Sequence, residues 1–456
     1  MSEAGFFAGQ RVGPVHFVGI GGIGMSGLAR ILAQSHVQVS GSDQQEGEVL
    51  DSLRSLGVRV EIGHREENLG DAGLLVVSSA IAPENVELEA ARSRGLQVLH
   101  RSEMLAELMR YRVGVAVSGT HGKTTTSAMI ATLLVQAGLD PTAIVGARMT
   151  NLGTNAVLGC GSHLVCEADE SDRSFLRLPA VVKIVTNIDA DHMDVYRDLG
   201  DLENAFLQFM NSVPFYGLVI ACRDDPPLRN LIKKVHRRVL TYGLNGEADV
   251  SAKYLETKAF GTAFTCFHQD RELGRAELHV PGRHNVQNAL AAVAFGLRLE
   301  VPFERVAEAL AGFRGTERRQ QFKGERGGVA VIDDYGHHPT EIRATLDSLE
   351  GFGQRTIVVY QPHRYSRTEY LMDRMGDCFE AADRLFVMGI YGAGEEPIPG
   401  VDARALVDRI GRIREVTFVE DRAAMVSLLQ QETRPGDLVV TMGAGDVWKV
   451  GEAFLG

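Results

Sequence analysis

Val113-Gly-Val-Ala-Val-Ser-Gly-Thr-His-Gly-Lys-Thr-Thr-Thr126 is a short apolar run, then a glycine-rich turn ending in a lysine and three threonines. The run reads as a buried strand, and Ser127 to Ala137, which contains no breaker, reads as a helix. Strand, glycine turn and helix in that order make a phosphate cradle. Gly119 and Gly122 let backbone N–H groups approach oxygens, Lys123 supplies a point charge, and the Thr124 hydroxyl suits Mg²⁺. The helix N-terminus faces the same anion. Val117 stands six residues before the lysine, where a glycine is usual, so the motif is GxxGKT. The expectation is an ATP-binding loop formed by Gly119, Thr120, His121, Gly122, Lys123, Thr124 and Thr125. The bland alternative is a strand–turn–helix corner with a surface lysine.

Nearer the start, Val15-His-Phe-Val18 reads as a strand and runs into Gly19-Ile-Gly-Gly-Ile-Gly24, with an apolar helix from Met25 to Leu32. A second strand, Val37 to Ser40, ends near Asp43. This is the pattern that seats a diphosphate against backbone N–H groups in a doubly wound α/β domain. Leu74–Val77 as a strand and Glu84–Arg94 as a helix continue the alternation. NAD, FAD and nucleotide-sugars share that diphosphate, so the glycines leave the ligand open.

Beyond the phosphate loop, apolar runs repeatedly end in polar clusters. His163-Leu-Val-Cys166 leads to Glu167-Ala-Asp-Glu-Ser-Asp172, and Val181 to Ile188 leads to Asp189-Ala-Asp-His-Met-Asp194. Continuous apolar runs suit parallel strands buried on both faces, and such sheets bind ligands at their carboxyl ends. Carboxylates there imply Mg²⁺, although Asp169, Asp172, Asp189 and Asp194 are too many to be ligands together. His192, flanked by acids, is either a ligand or a loop residue. In Pro281-Gly-Arg-His-Asn-Val-Gln-Asn288, Asn285 and Asn288 share a helical face; they suit a purine edge, or Asn285 is a plain N-cap. A third α/β block follows Arg318 and Arg319. Its strands Val329–Ile332, Thr356–Tyr360 and Leu438–Thr441 end in Asp333-Asp-Tyr-Gly-His-His-Pro339, Gln361-Pro-His-Arg-Tyr-Ser-Arg367 and Gly443-Ala-Gly-Asp446.

The 456 residues suggest about three domains. Lys+Arg 47 against Asp+Glu 59 gives a net charge of −12, which argues against nucleic acid or anionic membrane as the main partner but not against anionic small molecules. The five cysteines have no metal-ligand spacing and read as buried hydrophobes in a reducing compartment. The opening decapeptide lacks a basic, then apolar, signal pattern, and no apolar run reaches spanning length, so the expected location is cytoplasmic without membrane insertion.

Together these motifs resemble the Mur ligases, ATP-dependent amide ligases of peptidoglycan precursor synthesis, over essentially the whole chain. The markers are the GTHGKTTT loop, the Glu-Ser-Asp and Asp-His-Met-Asp clusters, His-Asn-x-x-Asn and Arg318-Arg319; GIGGIGMSG, DDYGHHPTEI and QPHRYSRT are similar to the branch that adds L-alanine. The resemblance implies three α/β domains: a Rossmann-like UDP-sugar domain over 1–110, a central P-loop ATP-binding domain over 111–315 and a Rossmann-like amino-acid domain over 316–456. It implies UDP-N-acetylmuramate, L-alanine and ATP as substrates, with Mg²⁺. By it, Gly19, Gly21, Gly22, Ile23 and Gly24 hold the UDP diphosphate, with Asp43 near the nucleoside. Lys123 spans the β- and γ-phosphates; Thr124, Glu170 and His192 are metal ligands; Asn285 and Asn288 contact adenine. Arg319 reaches the phosphates, Asp334 the ribose, and Tyr335, His337 and Arg364 surround alanine. Several family members carry a carbamoylated lysine after the Asp-His-Met-Asp cluster. No lysine lies between His192 and Pro214 here, so a second metal has no assigned ligand. Rival readings are a ligase adding a ready-made tripeptide to the same sugar, folylpolyglutamate synthetase, a nucleotide-gated binding protein, and an NAD-dependent oxidoreductase that leaves the phosphate loop unexplained.

Overall fold

The computed structural model describes residues 13–245, 247–258, 261–411 and 415–456. The opening decapeptide, read above as carrying no signal pattern, lies outside them. The fold is α/β with three sheets. The first contains β1 (Val15–Val18), β2 (Val39–Asp43), β3 (Arg59–Ile62), β4 (Leu74–Val77) and β5 (Gln97–His100), all parallel in the order β3-β2-β1-β4-β5. Strand order reverses at β1, so the loop leaving it, Gly19–Gly24, opens at the switch point where doubly wound sheets bind ligands.

The second sheet has β6 (Val113–Ser118), β7 (Thr142–Met149), β8 (Thr154–Val157), β9 (His163–Glu167), β10 (Val182–Val185), β11 (Leu218–Cys222), β12 (Val239–Gly243), β13 (Val250–Lys258), β14 (Gly261–His268) and β15 (Arg271–Leu278). Its order is β15-β14-β13-β12-β11-β10-β6-β9-β7-β8. The run from β12 through β7 is parallel, and β10 and β11 are buried along their whole length, as strands covered on both faces are. The third sheet orders β16 (Gln321–Arg326), β17 (Val329–Asp334), β18 (Thr356–Tyr360), β19 (Arg384–Val387), β20 (Thr417–Phe418) and β21 (Leu438–Met442) as β16-β17-β21-β18-β19-β20, parallel apart from β16. Two compact units result: one of residues 1–253, 265–274 and 287–312, the other of 254–264, 275–286 and 313–456. No helix among the described residues is long and apolar enough to cross a membrane.

One strand differs from expectation. Val37–Ser40 was the apolar reading, but β2 begins at Val39 and runs through Ser40-Gly-Ser-Asp43. The Val37 N–H is used in the turn from the preceding helix, bonding to the Leu32 carbonyl. The polar residues are buried because a polar cluster receives them: Ser40 meets His16 at 2.9 Å, and Ser42 donates to the buried Glu87 at 2.6 Å. Gly41 is obligatory, since a Cβ there would lie 2.6 Å from the Ile20 side chain. Among the cysteines, Cys166, Cys222, Cys266 and Cys378 are buried and free, whereas Cys160 is exposed.

Lys183, in the middle of β10, is fully buried and has no carboxylate partner among the described residues. Its Nζ donates to Ser212 Oγ at 2.5 Å and lies 4.2 Å from the Phe209 ring centroid. A cation–π contact returns up to about 2 kcal/mol, less than the several kcal/mol that burying an ammonium costs. Burial accordingly pulls its pKa down to about 7. Between about pH 7 and the ordinary lysine range the unfolded chain binds the extra proton, so this residue makes stability rise with pH across that window. Lys183→Met should raise the melting temperature at pH 7 and remove up to about 1.4 kcal/mol per pH unit of that slope. Melting curves from pH 7 to 10 that keep the same slope in the variant would exclude Lys183 as its source.

Candidate active site

The phosphate loop is folded as its glycines demand. Gly119 has φ +128°, and a Cβ there would lie 2.1 Å from Thr186 Oγ1; Gly122 has φ +82°, and its Cβ would meet Asn288 Oδ1 at 2.6 Å. The strand end after β10 clamps the loop from beside. Asn187 Oδ1 accepts from His121 N–H at 2.8 Å, the Asn187 carbonyl from Thr120 N–H at 3.1 Å, and Thr186 Oγ1 donates to the His121 carbonyl at 2.6 Å. The helix Lys123–Gln136 then starts with no side-chain cap and no acid in its first turn, leaving its end positive.

Lys123 curls back over this loop. Its Nζ donates to the Gly119 and Thr120 carbonyls at 2.6 and 3.1 Å and to both Glu170 oxygens at 2.7 and 2.9 Å. His192 Nε2 lies 3.9 Å from the same carboxylate, and the Tyr196 hydroxyl holds the Glu170 carbonyl at 2.6 Å. Burial drives the Glu170 carboxyl up despite Lys123, whereas Lys123 stays above the usual lysine range because Glu170, Asp169 and Glu167 outweigh its own burial. Thr124 Oγ1 donates to Glu167 at 3.2 Å. Lys123, Thr124, Glu170 and His192 are therefore brought together, with Glu167 beside them. This oxygen-rich set with one imidazole fits a divalent cation on a phosphate.

The first sheet supplies a second corner of the same kind. Gly19 has φ +75°, and the helix Ile23–Gln34 also begins without a side-chain cap or an acid in its first turn. Gly19 and Ile20 donate to the Ser42 carbonyl at 2.8 and 3.0 Å. Asp43 is not a free acceptor, because its Oδ2 takes the Gly21 N–H at 2.8 Å and so shapes the loop. The carboxyl ends of β4 and β5 in the same sheet meet the acidic cluster after β9. Arg101 donates to Asp169 at 2.9 Å, Ser79 to Asp172 at 2.6 Å, and His100 lies 3.6 Å from Asp172. Burial opposes ionisation of Asp169, yet Lys123 and Arg101 hold its carboxyl down at about 2. Arg101, Ser79, Asn187 and Tyr196 escaped sequence reading, for none sits in a phosphate motif. Only the place of Asn187 and Tyr196 beside the Asp-His-Met-Asp cluster hinted at them.

Asn288 is buried behind the loop and accepts from Thr126 Oγ1 at 3.2 Å. In the other unit, Asn285 is buried and donates to the Pro281 carbonyl at 2.7 Å. There, Asp334 accepts from the Gln320 and Gly336 N–H groups at 2.8 and 2.7 Å, and burial raises its carboxyl to about 6. Asp333 is taken up by Arg318 and Thr441. Arg318 and Arg319 both lie over the Tyr335 ring, 5.0 and 4.9 Å from its centroid, and Tyr335 meets His337 edge-on at 5.6 Å. Arg364, at φ +69°, gives its Nε to Glu395 at 2.6 Å, and its two terminal nitrogens have no partner among the described residues.

Three family models match in succession: the Mur ligase family catalytic domain over residues 14–112, the Mur ligase middle domain over 117–296 and the Mur ligase glutamate ligase domain over 318–445. The chain is 48% identical to the UDP-N-acetylmuramate–L-alanine ligase of Syntrophotalea carbinolica over 97% of its own length and 98% of the relative's. It is 47% identical to the enzyme of that name from Geobacter sp. strain M21, with 98% and 97% covered. The crystal structure of UDP-N-acetylmuramate-alanine ligase from Thermotoga maritima superposes with a TM-score of 0.84 at 28% identity, covering 97% of this chain and 98% of that one.

The Lys123–Glu170 pair should be structural as well as chemical. Lys123→Met leaves a carboxylate that is 1% exposed without its ammonium, a loss of about 3–5 kcal/mol. Adding Glu170→Gln should recover most of it. Urea denaturation of the two variants measures both, and a single-variant loss below about 1 kcal/mol would remove the pair from the fold's support.

Proposed function

The chain belongs to the Mur ligase family, and from that membership we infer how its residues divide one reaction. It is an ATP-dependent ligase that joins L-alanine to the carboxylate of UDP-N-acetylmuramate in peptidoglycan precursor synthesis. The observation that carries this reading is the convergence of Lys123, Glu170 and His192 at an uncapped phosphate loop, with Arg101 from the first sheet's carboxyl rim on the neighbouring Asp169.

A carboxylate is a poor acyl donor, being anionic and lacking a leaving group. Transfer of the γ-phosphoryl group from ATP makes it an acyl phosphate; the alanine amine attacks its carbonyl, and the tetrahedral adduct collapses to the amide and inorganic phosphate. Phosphoryl transfer between anions needs positive charge and alignment rather than covalent help. The loop Gly119–Thr125 seats the phosphates through the backbone N–H groups that Asn187 does not already hold, and Lys123 leaves Glu170 to bridge the β- and γ-oxygens. That exchange frees the Glu170 carboxylate, which with Thr124 and His192 forms the set that would hold Mg²⁺. The cation neutralises charge on the transferred phosphoryl group when bound. Gly19, Gly21, Gly22, Ile23 and Gly24 receive the UDP diphosphate, and Asp43 acts by holding Gly21 in shape.

Asn288 supports the loop from behind, and Asn285 is the remaining amide for adenine. Asp334, with both its hydrogen-bonded N–H groups, shapes the segment that carries Arg319 toward phosphate and places Tyr335 and His337. Arg364 offers its unused guanidinium edge to the alanine carboxylate as a two-pronged donor, which a lysine could not copy. The three stretches 1–110, 111–315 and 316–456 are assigned to UDP-sugar, ATP and amino acid in that order.

Phosphate release from ATP and Mg²⁺ with UDP-N-acetylmuramate should require L-alanine and yield the matching amide; release only with a murein tripeptide would move the assignment to the tripeptide-adding reaction. Lys123→Ala should abolish most turnover while UDP-sugar affinity, read by calorimetry, stays within about twofold. Arg364→Ala should raise the alanine KM by roughly one to two decades, the loss of one charge-assisted contact. An unchanged alanine KM would take Arg364 out of the site.

A further inference from the structure

The amino-terminal edge of the second sheet, opposite the phosphate loop, carries a patch that the ligase reaction does not use. Segments 211–218 and 236–240 lie side by side there: His236 N–H donates to Asn211 Oδ1 at 2.8 Å, Arg237 Nε to the Val213 carbonyl at 2.9 Å, and Val219 N–H to the Arg238 carbonyl at 2.9 Å. The first segment carries Phe215, 88% exposed, and Tyr216, 56% exposed, packed edge to face at 5.2 Å. Beside these stands the run Lys233-Lys-Val-His-Arg-Arg238, whose five basic side chains are exposed. Lys233, Lys234, His236, Arg237 and Arg238 meet no carboxylate among the described residues, in a chain whose acids outnumber its Lys and Arg 59 to 47. Next to them opens a pocket of about 450 Å³ lined by Leu218 and Leu297 together with Arg238, Arg298, His268 and Glu300.

We propose that this edge is a docking surface for an anionic lipid bilayer, with Phe215 and Tyr216 entering the interface and the surrounding lysines and arginines meeting headgroup phosphates. Aromatic tips beside unpaired cations are the composition that binds at a bilayer interface. The net charge of −12 does not forbid it, because at physiological salt charges more than about 8 Å away are screened and the local patch dominates. The pocket accommodates one phosphate-bearing headgroup rather than a run of nucleotides, which favours a lipid surface over nucleic acid. A patch on the strand edge away from the phosphate loop leaves the catalytic mouth facing solution.

Flotation of the full chain with extruded vesicles of equal parts phosphatidylglycerol and phosphatidylcholine reads the partition. Pure phosphatidylcholine vesicles, single-stranded DNA and glycerol 3-phosphate serve as comparators. Expected is binding to the anionic vesicles alone that weakens with salt. Arg238→Gln with Arg298→Gln should lower it roughly twenty-five-fold, about fivefold for each cation removed. Phe215→Ser with Tyr216→Ser should lower it while leaving its salt dependence unchanged, and both variants should keep full ligase turnover in solution. No binding to anionic vesicles at low salt, or an arginine variant that binds like the parent, overturns the proposal. DNA bound as tightly and indifferent to the aromatic variant would make the patch a general polyanion surface. Displacement of the vesicles by millimolar glycerol 3-phosphate would make it a small-molecule pocket.

Discussion

A loop that lends some of its N–H groups to an anion must be held in shape through its other polar groups. Most of this structure follows from that constraint. At the phosphate loop the holding is done by the chain after β10, where Asn187 and Thr186 grip Thr120 and His121. At the first glycine corner the Ser42 carbonyl and the Asp43 carboxylate, both from β2, do the same work. Each clamp comes from the strand beside the one that launches the loop. Parallel neighbours deliver their carboxyl ends to the same rim, which is why a ligand site and its support arise together in such sheets.

Charge is the second constraint. Gathering Glu167, Asp169, Glu170 and Asp172 on one segment is unfavourable unless cations answer them. Lys123 answers Glu170, and Arg101 answers Asp169, so the acidic segment is balanced partly from its own sheet and partly from the first one. The Lys123–Glu170 pair thus holds two opposite charges together at the phosphate loop. A buried ion pair of this kind is a poor source of net stability but an effective placeholder for a site that must stay polar.

The sheet-forming segments were legible wherever a strand is buried on both faces. Val113–Val117 and Thr356–Tyr360 read directly because a mostly apolar run has few other uses, whereas the run Val181–Ile188 overshoots its strand, Val182–Val185. The reading was displaced at β2, set over Val37–Ser40 where the strand is Val39–Asp43, because Ser40, Gly41 and Ser42 carry no apolar signal. Their burial depends on Glu87 and His16, dozens of residues away, and no local pattern encodes a polar partner at that distance.

By itself the sequence determined the chemistry of the site: glycines that allow close approach, one lysine, a threonine hydroxyl, carboxylates and a histidine, each a property of residue type and short spacing. Tertiary structure alone decided which of those groups meet. It set Glu170 rather than a neighbouring acid on Lys123, and turned Asp43 inward to Gly21. It placed Asn288 behind the loop and left one edge of the Arg364 guanidinium unused. The reason is geometric. Spacing along a chain fixes a side chain's direction only within its own element, whereas hydrogen-bond partners over 3 Å are chosen by the packing of elements distant in sequence.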